Sequence, residues 1–254
     1  MNPRKTAGYG WTPDLPDHRD IKYAAVRPTL AVLPPLVDLR PQCPPVYNQG
    51  QIGSCTGNAI AGAVEFELKK QATNVFMPSR LFIYYNERVA EGDPGVDKGA
   101  AIRDGMKSVA QQGVCDENLW PYTSDVFTAP AGNCYQAALA NKVEQYLSLD
   151  NTDVNQLKSC LANGNPFVFG FTVYESFESA AVAASGVLPM PAPAEQTVGG
   201  HAVLAVGYDD SRSAFIVRNS WGTGWGIAGY FYMPYSYITS ADLADDFWVI
   251  KLVE

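Results

Sequence analysis

Cys55 follows Gly53-Ser54 and opens the run Thr56-Gly57-Asn58-Ala59-Ile60-Ala61. A thiol at a helix start feels the positive end of the helix dipole. That field favours the thiolate, which is the nucleophilic form. Free cysteine is equally at home in a core, so this stretch alone supports a nucleophile and a packed thiol equally. A cysteine nucleophile needs a base, and the base needs a group that orients it. Two histidines are present. His18 sits among Asp17, Arg19 and Asp20 and reads as a solvated loop residue. His201 follows Gly199-Gly200 and opens the apolar run Ala202-Val203-Leu204-Ala205-Val206, at its exposed end. Asn219 follows a second apolar run and precedes Ser220-Trp221. Its amide oxygen could accept the imidazole N–H, with the Trp221 indole shielding the contact. Taken singly, these are a strand-end histidine, a turn asparagine and a core tryptophan. Gln49, Cys55, His201 and Asn219 taken together point to acyl transfer through a thiol.

The elements that must position these residues fall into two groups. Helical spacing predicts helices over about 55–71, 79–91 and 100–112, the last ended by Gly113, with a further short helix from Asp153 to Leu161. Strand texture begins after Gly164-Asn165-Pro166. It predicts strands at 167–174, 202–208, 214–218, 229–233 and 247–250. Residues 117–134 and 176–199 read as loops, the second with room for a helical turn. Leu36-Val37-Asp38-Leu39-Arg40 reads as an entry strand, and Pro41, Pro44 and Pro45 keep the chain extended up to Gln49. Helices first and strands later imply an α+β fold of two lobes with a cleft between them. Residues 1–35 are rich in proline without helical period, yet carry Tyr9, Trp11, Leu15, Ile21 and Tyr23. That is an extended arm too apolar to stay in water, packed on the body or lying across the cleft.

Composition narrows the function classes. Of 254 residues, 47% are hydrophobic and 17% charged, a globular balance. A net charge of −8 argues against nucleic acid or an anionic membrane as partner. No run approaches a membrane span, and the polar N-terminus lacks a signal-peptide core. The expected location is therefore the cytoplasm, or outside it by a route without such a signal. With two histidines and no CxxC, a zinc site is not expected. Cys115 and Cys134 flank a proline-rich loop and could pair; the other reading is five free thiols.

These residues bring the chain close to a known family. It resembles the papain-like cysteine peptidases through Gln49-Gly50 with Gly53-Ser54-Cys55, Val109 to Val114, Trp120-Pro121-Tyr122, His201-Ala202-Val203 with Val206-Gly207-Tyr208, and Asn219-Ser220-Trp221-Gly222-Thr223-Gly224-Trp225-Gly226. His201 follows Cys55 within the roughly 130–150 residues of the family pattern, and Asn219 slightly beyond it. The resemblance implies that Cys55 is the nucleophile, His201 the general base and acid, Asn219 its orienter, and Gln49 an oxyanion donor beside the Cys55 N–H. It implies a helical lobe over about 50–135 and an antiparallel, β-barrel-like lobe over about 136–254, within a peptidase domain at 36–254. Gly99-Ala100 align with the pair that binds substrate backbone. Ile102, Gly170, Gly199, Gly200, Ala202 and Trp221 fall around the substrate. The small apolar set among them implies a bulky apolar side chain before the scissile residue. The expected enzyme is a monomeric cysteine endopeptidase, without cofactor or metal, acting on a peptide or protein. The alternative is a silent, acyl-transferring or deubiquitinating protein on the same fold.

The chain departs from the family at Ile52 and Thr56, where a cysteine and a tryptophan are usual. Ile52 removes the usual disulfide, and Thr56 leaves one wall less shielded. The arm also lacks the helices of the family's long propeptide. It is expected either to pack permanently on the fold or to cover the cleft as a short regulatory segment.

Overall fold

The computed structural model describes residues 9–253; the first eight residues of the arm lie outside them. Three helices form one side: α2 (Cys55–Gln71), α3 (Arg80–Ala90) and α4 (Ile102–Gln111), preceded by β1 (Leu36–Asp38) and, within the arm, by the single turn α1 (Tyr23–Val26). α2 is buried on all faces from Cys55 to Leu68, so it is the central rod on which the rest packs. α3 starts on the Ser79 hydroxyl, which accepts from the Phe82 N–H. α5 (Gly132–Ala138) ends the stretch read from sequence as loop.

β2 (Val143–Ser148), which has no clear alternation in sequence, begins the other side and is followed by α6 (Val154–Ala162), capped by Asp153. Then come β3 (Phe167–Tyr174), α7 (Ala180–Ser185), β4 (Thr197–Asp209), β5 (Ala214–Arg218), β6 (Tyr230–Pro234), α8 (Tyr235–Ile238) and β7 (Ala244–Val253). The helical turn allowed for in the 176–199 loop is α7. β4 begins well before its predicted start, so His201 lies inside a strand and is fully buried instead of standing at an exposed end.

The strands form one antiparallel sheet in the order β2-β7-β3-β4-β5-β6, with β1 added to β4. Its outer strands, β2 and β6, do not pair with each other, so the sheet is open and the expected barrel-like closure is absent. β4 pairs with β3 over residues 197–205 and with β1 at 207–209, and its register against β5 shifts between Ala205 and Gly207, where a Cβ on Gly207 would lie 2.2 Å from the Val37 carbonyl oxygen. Phe167, Phe169, Phe171 and Trp248 are fully buried within this sheet's core.

Two polar ties hold the halves in register. Arg218, at the end of β5, donates to the Pro44 and Pro45 carbonyls at 2.6 Å each, pinning the proline run that leads to Gln49. The Gln49 N–H then donates to the Ser220 carbonyl at 2.8 Å. All five cysteines are free, and the thiols of Cys115 and Cys134 face each other unbonded. No helix among the described residues is long and apolar enough to cross a membrane.

Candidate active site

Cys55 is the first residue of α2. Ser54 occupies the cap position but does not cap; its hydroxyl pairs with the Tyr122 hydroxyl at 2.6 Å. The first-turn N–H groups are therefore left open around the thiol. The Cys55 sulfur is faced by three backbone N–H groups, those of Ala202, of Gly10 in the arm and of Thr56 in its own turn. Ala202 follows His201 in β4, so the strand that carries the imidazole passes directly beside the sulfur.

His201 Nε2 lies 2.9 Å from Asn219 Oδ1, which also accepts the Ser220 N–H at 2.8 Å. Nδ1 of His201 is buried with no hydrogen-bond partner, so it is the nitrogen left free to take a proton. Trp221 lies over the imidazole, with ring centroids 5.2 Å apart, and Phe177 and Trp225 pack behind Trp221. This aromatic wall lies over the His201–Asn219 contact, where the sequence places Trp221 as a shield. Trp225 belongs to the motif that opens at Asn219, whereas Phe177 has no sequence signal pointing to that wall beyond being aromatic.

Gln49 is also buried. Its Nε2 donates to the Ile52 carbonyl at 2.9 Å, and its Oε1 accepts from the Ser220 hydroxyl at 2.6 Å. The Ser220 contact fixes which way the amide points. The sequence reading passed over Ser220, although it stands between Asn219 and Trp221. Tyr122 donates to the Gln49 carbonyl at 2.9 Å and so braces both flanks of the Cys55 turn. Thr56 proves not to be a cleft wall. It is fully buried and donates to Glu87 at 2.6 Å. Burial pushes the Glu87 carboxyl up to about 8.

The cleft above Cys55 is filled by the chain's own arm. The Trp11 N–H donates to the Gly200 carbonyl at 3.0 Å, the Thr12 N–H to the Ala100 carbonyl at 3.2 Å, and the Ala100 N–H to the Gly10 carbonyl at 2.7 Å. Trp11 and Ala100 thereby form a parallel bridge. Gly99, at φ +90°, makes room for this approach: a Cβ there would lie 2.2 Å from the Gly10 carbonyl oxygen. The Trp11 ring sits against Gly170 and Gly200, and Tyr9 against Gly199 and, edge-on, the His201 ring. Ile102 is buried in the same apolar cluster as Trp11. Thus the positions assigned from sequence to substrate contact, Gly99, Ala100, Gly170, Gly199 and Gly200, face residues 9–12 of the arm.

This occupancy sets the electrostatics. Burial pushes the Cys55 thiol up to about 12, against the lowering by the Ala202 and Gly10 N–H groups. Burial also lowers His201 to about 4, although Asn219 works in the other direction. Burial thus disfavours the charged form of both groups and works against the dipole at the helix start.

The model of the papain family of cysteine proteases matches residues 33–248. The chain belongs to the papain family. It is a cysteine peptidase, a hydrolase, like the family members it matches. It is 45% identical to xylellain, a cysteine protease from Xylella fastidiosa, whose crystal structure superposes with a TM-score of 0.91 over 100% of this chain and 99% of that one. An uncharacterized peptidase C1-like protein of Acanthamoeba polyphaga mimivirus is 42% identical over 96% of this chain and 87% of its own length. Mouse cathepsin K is 31% identical over 73% of this chain, which spans 54% of that protein's length.

Proposed function

We propose that the chain is an endopeptidase that attacks peptide carbonyls with Cys55 and hydrolyses the resulting thioester. His201 takes the thiol proton at Nδ1 and returns it to the leaving amine. Asn219 holds the imidazole by Nε2, so only one nitrogen faces the sulfur. The Cys55 N–H and the Gln49 Nε2 receive the developing oxyanion, the latter after giving up the Ile52 carbonyl. Such donors contribute roughly 3–4 kcal/mol each in comparable sites. The observation that carries the reading is the His201–Asn219 contact at 2.9 Å on the strand beside the Cys55 sulfur.

The proposed division is an arm at 1–35 and a peptidase domain at 36–254. We read residues 9–12 as a resident occupant of the substrate groove. The arm covers the sulfur with Gly10 and fills the adjoining pocket with Trp11, a residue with a large apolar body. That is the kind of body the Gly170 and Gly200 walls admit. A substrate reaches Cys55 when these residues lift away. Deleting all of 1–35 is a poor test, because Tyr23 is part of the core. The better test is an epoxysuccinyl inhibitor applied to the full chain and to Trp11→Ala. Selective labelling of Cys55, faster in the variant, supports the reading. Labelling spread evenly over the five cysteines would overturn it.

A further inference from the structure

A Gln49 side chain can serve an oxyanion only if it leaves the backbone in one direction. That requires the two peptide planes beside it to be fixed. The plane before it is held at both ends. The Gln49 N–H donates to the Ser220 carbonyl at 2.8 Å, and the Asn48 carbonyl accepts from Arg80 Nη1 at 3.2 Å. The plane after it is held in the same way. The Tyr122 hydroxyl donates to the Gln49 carbonyl at 2.9 Å, and the Gly50 N–H donates to Asn48 Oδ1 at 3.0 Å.

Arg80 stands behind both planes. It is the first residue of α3 and is buried. Its guanidinium reaches the first plane directly. It reaches the second through Tyr122, whose ring centroid lies 3.8 Å from Arg80 Cζ. Nη1 also donates to Asn58 Oδ1 at 3.2 Å, and Asn58 Nδ2 donates to the Ser54 carbonyl at 2.9 Å, just before Cys55. One cation therefore supports the chain on both sides of the turn from Gln49 to Cys55.

The guanidinium is itself held in one orientation. Glu117 accepts from Nε at 2.8 Å and from Nη2 at 2.6 Å, a two-pronged pair. The Ser79 hydroxyl donates to the Trp120 carbonyl at 2.7 Å, which ties the loop carrying Tyr122 to the same helix start. α2 and α3 touch at this point, since a Cβ on Gly57 would lie 2.7 Å from the Arg80 carbonyl oxygen. These contacts suit a planar fork: a carboxylate on one edge, two oxygens on the other, and an aromatic ring on the face. A lysine ammonium is a single point of charge and cannot make them all at once.

We propose that Arg80 is a positioning residue for the oxyanion site: it fixes the Gln49 backbone, aims Gln49 Nε2, and acts on catalysis through Gln49. This rests on the reading of Gln49 as an oxyanion donor. It is the geometry of the guanidinium that matters, not its charge alone.

The test uses the full chain carrying Trp11→Ala and a fluorogenic peptide. Arg80→Lys keeps a charge opposite Glu117 and should lower kcat by about tenfold, with KM changed by less than about threefold. In a Gln49→Ala background the same substitution should change kcat by less than about twofold, because the donor it aims is gone. Glu117→Gln leaves Arg80 in place but loosens its fork. It should give a smaller loss, about threefold, that is likewise cancelled by Gln49→Ala. Full kcat in Arg80→Lys, or a loss that persists undiminished without the Gln49 side chain, overturns the proposal. A second readout needs no turnover. The Gln49 side-chain amide resonance, assigned by its loss in Gln49→Ala, should exchange with solvent at least about tenfold faster in Arg80→Lys. Unchanged exchange sinks this inference and leaves the peptidase reading standing. Faster exchange in a protein that cleaves no peptide upholds the hold of Arg80 on Gln49 and removes the peptidase reading instead.

Discussion

The proposed catalytic cluster and the arm that covers it are held by different kinds of contact. Gln49, Cys55, His201 and Asn219 come from three peptide segments tied by short bonds, Gln49 to Ser220 through backbone and side chain and His201 to Asn219 through one amide. Each residue is buried. Residues 9–12 hold on through three backbone hydrogen bonds, the Trp11 indole and the Tyr9 hydroxyl on Glu178, and their anchor, Arg103 with Asp14 and Asp20, lies outside the groove. The proposed release of the arm would break its own contacts and leave the bonds within the cluster in place.

The largest expected effects break the cluster. In a Trp11→Ala background, Cys55→Ala and His201→Ala should each lower kcat on a fluorogenic peptide by at least about a thousandfold, since members of such a set fail together. Retained turnover in either would remove the mechanism. Gln49→Ala should cost about 10²–10³ in kcat with the fold intact, the loss of one oxyanion donor. A change confined to KM would instead assign Gln49 to substrate binding.

Smaller effects sharpen the contrast by moving the arm alone. Trp11→Ala should raise turnover of a small peptide by roughly ten- to a hundredfold, because it removes a buried indole worth several kcal/mol. Unchanged turnover together with a lowered Tm would make the arm a permanent part of the fold.

The smallest is a pH effect. Burial raises Asp14 to about 6 and Asp246 to about 7 in the docked arm, from an ordinary value near 3.8. The docked form therefore holds protons that the released form gives up. Docking is tightest below about pH 4 and loosens as pH rises towards 7. Arg103, Asp20, Asp104, Lys107 and Asp245 complete the charges around the two carboxylates. The ratio of Cys55 labelling rates, wild type over Trp11→Ala, should accordingly climb between pH 4 and 7, with the thiol's own titration cancelling. A flat or falling ratio would detach the arm from these two groups.

Sequence alone determined most of the helical side and named the proposed catalytic set. α2, α3, α4, β3 and β5 sit where periodicity and turn residues place them, because each is long and uniformly patterned. Gln49, Cys55, His201 and Asn219 were legible because each lies in a short motif whose neighbours also carry chemistry. β2, α5 and the full length of β4 were not, since weak alternation and glycines leave the period undefined until the partner strand supplies it.

Only the tertiary structure decided three further things. It showed where the apolar arm goes: Trp11 could pack anywhere by composition, and a groove of glycine backbone selects the cleft. It set the desolvation that Cys55 and His201 meet, because the helix dipole is local but desolvation depends on what covers the site. It also placed Asp246 on the Trp11 indole, through a strand irregularity that arises only when β7 pairs with β3. Chemistry carried by neighbouring residues can be read along the chain, whereas burial and long-range pairing exist only once the chain has closed on itself.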